Sequence, residues 1–219
     1  MIARLPRWVW AGAWMLAFTA GMVNVIGLLG FQHRAITHLT GNTSLLAAAI
    51  VQADRQAAVS LAWLMLSFVA GSAVSGAIIQ DSTLRLGRRY GVALGLVAIL
   101  LALSARGLSA GNVWGMYAAA CACGLQNAMA STYSGSVVRT THVSGMFTDL
   151  GISAGHALLR LPVDGRRLKL CGTVITGFLS GGIIGALAFA RLRYDALLVP
   201  ACISGGVALA YTIYRHARR

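Results

Sequence analysis

Apolar residues in this chain gather in long unbroken runs, without the alternation or the 3.6-residue stripe of an element that has one face in water. The runs cover 8–31, 57–80, 90–105, 111–133, 170–190 and 194–214, and polar residues collect between them. A helix rises 1.5 Å per residue, so about 20 apolar residues are needed to cross a hydrocarbon core ~30 Å thick. Five of the six runs reach that length, and 90–105 has room to extend at either end. None carries an ionised side chain in its middle. The pattern predicts an all-α polytopic membrane protein, a single transmembrane domain over 1–219.

Composition strengthens the prediction. Hydrophobic residues make up 58% of the chain and charged ones 11%, where a soluble domain carries roughly a quarter charged. So few charges cannot cover a water-facing shell. The formal net charge of +13 raises nucleic acid as a partner, but the arginines sit in loops between apolar runs and form no continuous basic face. Basic loops report orientation and contact with anionic lipid instead. The expected partner is the lipid bilayer, with no nucleic acid. Arg4 and Arg7 precede the first run as in a secretory signal, but that run exceeds the usual ~7–15 residues and lacks a small-residue cleavage site. It reads as a retained first span. Cys121, Cys123, Cys171 and Cys202 lie within apolar runs with no metal-ligand spacing, so neither disulfide, metal nor cofactor is expected.

The chain repeats itself. Thr37-His38-Leu39-Thr40-Gly41 matches Thr141-His142-Val143-Ser144-Gly145, 104 residues later. In the same order, Gly21-Met22-Val23-Asn24 matches Gly124-Leu125-Gln126-Asn127, Phe68-Val69-Ala70-Gly71 matches Phe178-Leu179-Ser180-Gly181, and Arg89-Tyr90 matches Arg193-Tyr194. Repeat 1 covers about 8–106 and repeat 2 about 111–214. Each reads as a long span, a Thr-His-x-Thr/Ser-Gly turn, a short helix and two further spans. The short helices, expected over 42–53 and 146–161, look re-entrant: the first is too short to cross, and the second contains Asp149 and His156. Re-entry gives six spans and divides Lys and Arg 13 to 5 between the two sides; full crossing, the alternative, gives eight spans (4+4) and a division of 11 to 7. The positive-inside rule favours six, with both termini cytoplasmic in a bacterial inner membrane. Three spans per half would insert the second half upside down relative to the first, an inverted 3+3 repeat of the kind used by many transporters.

The repeated turn is the candidate site. Thr40 and Ser144 are suited to cap the short helices, and Gly41 and Gly145 leave the backbone open beside them. A helix start has unsatisfied N–H groups and a partial positive charge, which attract an anion or an electronegative atom. Two such starts facing one another in mid-membrane would form a polar chamber. His38 and His142 either line it as donors or tie their turns to neighbouring spans. Asn24 and Asn127 either line the path or cross-link helices. Asp149 is an intramembrane carboxylate, a candidate for cation or proton contact, and also suits a first helical turn; His156, seven residues on, is its candidate partner. Arg34 and Arg139 either draw anions inward or are solvated loop charges. The Gly181-x-x-x-Gly185 pair, and Ser72 with Gly76, suit close helix crossing.

The elements Thr37 to Asn42, Gly124-Leu125-Gln126-Asn127 and Thr140-Thr141 resemble the YoaK family of uncharacterised bacterial membrane proteins, over nearly the whole chain. Its His-x-Thr-Gly-Asn element falls on His38, Thr40, Gly41 and Asn42. The resemblance implies a six-span membrane protein with no established substrate. The family often carries an acidic residue at the place of Asn24; without it, any proton coupling falls to Asp149 or the histidines.

The chain contains no Glu, no His-x-x-x-His helix and no phosphate-binding loop, so an enzyme is not expected. The expected function is a transporter or channel for a small polar or anionic solute. A non-transporting scaffold or assembly factor is the alternative, and a homo-oligomer is compatible with either.

Overall fold

A computed structural model of the chain describes residues 7–30, 35–80, 88–134 and 138–217. Among these, every regular element is helical: α1 (Arg7–Gly30), α2 (Leu39–Val51), α3 (Arg55–Ile79), α4 (Arg88–Ser109), α5 (Trp114–Ser134), α6 (Val143–Leu158), α7 (Gly165–Leu192), a 3-10 turn (Arg193–Leu197) and α8 (Leu198–Ala217). The six apolar runs become α1, α3, α4, α5, α7 and α8. Four segments are long and apolar enough to cross a membrane: Trp8–Gly30, Arg55–Ile79, Arg89–Ser109 and Gly165–Ile213, the last holding both α7 and α8. Helix α5 is not among them. Thirteen of its residues are buried, so small and amide side chains replace the large apolar ones that lipid contact demands.

Glycines set the main seams. Along α1 and α7, Gly177 meets Trp14, Gly181 meets Phe18 and Gly185 meets Met22. Each contact moves four residues in the same direction on both helices, so α1 and α7 run parallel. Helix α3 runs parallel to α5, since Ser60 meets Tyr117 near their starts and Ser72 meets Gly124 further along; at the closest approach Gly71 lies on the Cys121 carbonyl and Gly124 on the Phe68 carbonyl. Ser72 Oγ adds a hydrogen bond across that seam to the Gly124 oxygen at 3.1 Å. Gly76, expected to pack, has open space beside it; the close approach is made one turn earlier, at Gly71 and Ser72. Helices α4 and α5 form an antiparallel hairpin, and α4 packs antiparallel to α8, Gly91 lying on Ala208 and Gly205 on Ala98.

These contacts sort the helix ends. Trp8 and Tyr90, at the starts of α1 and α4, both meet Tyr133 at the end of α5, tilted and edge-on respectively, with centroids 5.5 and 5.7 Å apart. Lys169, at the start of α7, lies over the Trp10 ring at 5.1 Å. At the opposite end Gly30 closes on Phe189 and Tyr194, Ser109 donates to Asp195 at 3.0 Å, and Tyr117 donates to Ser60 at 3.4 Å. The end of α1 and the start of α3 therefore lie at one end of the bundle, and the end of α5 and the start of α7 at the other. Helix α2 leaves and returns to the same end, and α6 does likewise at the opposite one.

Candidate functional site

Two short connectors carry most of the candidate residues. In the first, Asn24 Oδ1 accepts from both the N–H and the hydroxyl of Thr37, at 3.0 and 2.8 Å. In the second, Thr140 Oγ1 donates to Asn127 Oδ1 at 3.4 Å. Asn24 lies six residues before the end of α1 and Asn127 seven before the end of α5, so each latch sits about 10 Å inside its end of the bundle. Asn24 and Asn127 thus act as cross-links. The matching of Thr37 with Thr141 needs correction: the bond to an asparagine thirteen residues back belongs to Thr140, which is fully buried. Thr141 is half-buried and is an extra residue between the latch threonine and His142. Sequence comparison missed this because adjacent threonines match equally well.

The helices then begin earlier than expected. The residue preceding each is His38 or His142, neither making a side-chain capping bond. Thr40 and Ser144 are not caps but exposed second residues of the helices, and their carbonyls accept from Ser44 Oγ at 3.2 Å and Thr148 Oγ1 at 3.1 Å. Such back-bonding hides a hydroxyl where water is scarce. The reason for the shift is the glycine three residues after each histidine. A Cβ on Gly41 would fall 2.4 Å from His38 Nδ1, and one on Gly145 2.9 Å from His142 Nδ1. Each imidazole therefore folds back over the bare first turn, an arrangement open only to glycine. Asn42 is buried and donates to the Ala35 carbonyl at 2.9 Å, bracing the first connector. True side-chain caps stand instead at Asp54 of α3, accepting from Ala57 N at 2.9 Å, and Asp164 of α7, accepting from Arg166 N at 3.0 Å. Their signal was an Asp directly before each long helix.

The second short helix differs in charge. Asp149 lies in its second turn, not its first, and pairs with Arg167 of α7 at 2.8 Å. His156 is exposed and is not its partner. The partner was legible only as a three-dimensional fact, since Arg167 stands eighteen residues away. Asp149→Ala is expected to loosen α6 from α7 by about 0.5–1 kcal/mol. Amide exchange should quicken over 143–158 and stay unchanged over 39–51; no change in either would show that the pair does nothing for docking.

Among the described residues, α2 packs against α3 alone of the helices and α6 against α7 alone, and the two short helices do not touch. His38, Thr40, His142 and Ser144 are all exposed. Between the connectors, Gln126 of α5 is buried and donates to the Leu16 carbonyl at 2.7 Å and to Thr19 Oγ1 at 3.0 Å. This knot pins α5 to α1. Arg139 is exposed; Arg34 lies outside the described residues.

Residues 12–210 match the model of the family described as "Protein of unknown function (DUF1275)". The chain belongs to this family. That agrees with the resemblance to the uncharacterised YoaK family carried by the His-x-Thr-Gly-Asn element. The DUF1275 match spans both latches and both short helices. No curated protein matches the chain, and no solved structure does.

Proposed function

We propose that this DUF1275 protein is an inner-membrane transporter or channel for a small polar or anionic solute. In this reading six helices span the bilayer, α2 and α6 re-enter from opposite faces as parts of an inverted 3+3 repeat, and both termini are cytoplasmic. The solute path runs past His38, Thr40, Gly41, His142, Ser144 and Gly145, where the short helices begin. The reading is non-enzymatic. What carries it is the pair of Asn–Thr latches, which hold two helix starts about 10 Å inside opposite ends of the bundle. Interrupted backbone at such depth is tolerated only where it is buried in protein or lines a water-filled cavity. Exposure of the two histidines and two hydroxyl residues fits a wet path. It fits equally the second reading, a non-transporting scaffold whose neighbouring copy covers that face.

Purified protein in liposomes, offered formate, nitrate, phosphate and urea, separates the two. Uptake of at least one solute above protein-free vesicles is expected, and Gly41→Leu or Gly145→Leu should reduce it at least tenfold. Either change displaces a histidine ring rather than backbone, so melting in detergent should hold. Absence of uptake for all four, or uptake untouched by both variants, overturns the transport reading.

A further inference from the structure

The α4–α5 seam is tight, with Gly107 against Trp114 and Gly115 against Leu108. Helix α8 approaches α1 much less closely. Beside this slack junction lies a partly enclosed cavity of about 140 Å³ whose wall is wholly apolar, and Trp8, Gly12, Tyr90, Leu94, Tyr133 and Tyr211 line it. An apolar void of this size does not hold water, which needs polar partners, and an empty one forfeits dispersion contacts on all its walls. Within a bilayer the matching occupant is hydrocarbon, which restores those contacts. The charge around it says which kind. Arg89 precedes the lining residue Tyr90 and Arg139 follows the lining residue Val138, both exposed at the same end of the bundle. Among the described residues neither cation pairs with a carboxylate, and Arg89 donates to the Gln80 side-chain oxygen. Aromatic side chains at this level suit the boundary between headgroups and chains.

We propose that this groove seats a segment of one acyl chain of an anionic phospholipid, its phosphate at Arg89 and Arg139. The proposal requires that the chain lie in a bilayer and is independent of what, if anything, it transports. Native mass spectrometry tests it on full-length protein taken in mild detergent from nanodiscs of equal phosphatidylglycerol and phosphatidylcholine. One phospholipid retained per chain is expected, with phosphatidylglycerol at least threefold over phosphatidylcholine. A Cβ at Gly12 would meet nothing within 4 Å, so Gly12→Trp has room to fill the groove and should abolish retention while melting holds or rises. The smaller Gly12→Leu gives the same reading if the indole prevents folding. Arg89→Gln combined with Arg139→Gln should keep a bound lipid but lose the preference for phosphatidylglycerol. Wild-type protein that retains no lipid, or a folded Gly12 variant that retains as much as wild type, overturns the proposal. Equal retention of both lipids by wild type overturns the anionic assignment.

Discussion

Gly181→Ala should leave little folded protein. A methyl there would fall 1.9 Å from the Phe18 carbonyl oxygen, and the same distance separates a Gly71 methyl from the Cys121 oxygen. The atom in the way is backbone on another helix, so no rotamer change relieves the overlap; α1 and α7 must part along their length. Overpacking of this kind exceeds the usual range, at about 3 kcal/mol or more. The matched control is Gly76→Ala, whose methyl would meet nothing within 4 Å; in a helix interior that change is worth about 0.5–1 kcal/mol of added stability. Thermal unfolding in detergent should therefore move in opposite directions for two substitutions of the same chemistry. If Gly181→Ala melts as wild type does, the parallel α1–α7 seam is wrong.

Second in size is the effect of breaking the first latch. Asn24→Leu removes the acceptor for two donors of Thr37, a residue that is itself buried. Leaving such donors unsatisfied costs about 1–3 kcal/mol each. Asn127→Leu removes a single contact of 3.4 Å and should cost about 1 kcal/mol or less. Hydrogen exchange over 35–43 should accelerate far more in the first variant than exchange over 138–146 does in the second. Equal acceleration would mean that the latches do not set the position of the short helices.

Much of this architecture can be read from the chain because a bilayer imposes a length rule on apolar runs. The runs at 8–31 and 57–80 became α1 and α3 almost residue for residue. Packing partners were less accessible. Gly21, Gly71, Gly124 and Gly181 stand out as members of repeated tetrapeptides, yet nothing in their order says that Gly21 meets Phe178 and not Phe68. The short helices were visible, but their starts were misplaced by three residues. Hydroxyl capping is the stronger general preference, and it lost here to an imidazole with a glycine to lie on. Asp149 was visible as an unusual carboxylate, whereas its pairing with Arg167 depends on how α6 folds back on α7. The lipid groove left no sequence signal, because it arises from two helices failing to approach.

One consequence follows for biogenesis. The two closest seams, α1 with α7 and α3 with α5, each join a helix from 8–106 to one from 111–214. When synthesis has reached the end of α4, neither α1 nor α3 has met its glycine-faced mate, and α1 waits for roughly the last quarter of the polypeptide. The early segments must therefore persist in the bilayer as unmated helices until the late ones thread in beside them. Separately expressed fragments split at the α4–α5 turn should each be degraded alone and survive when made together.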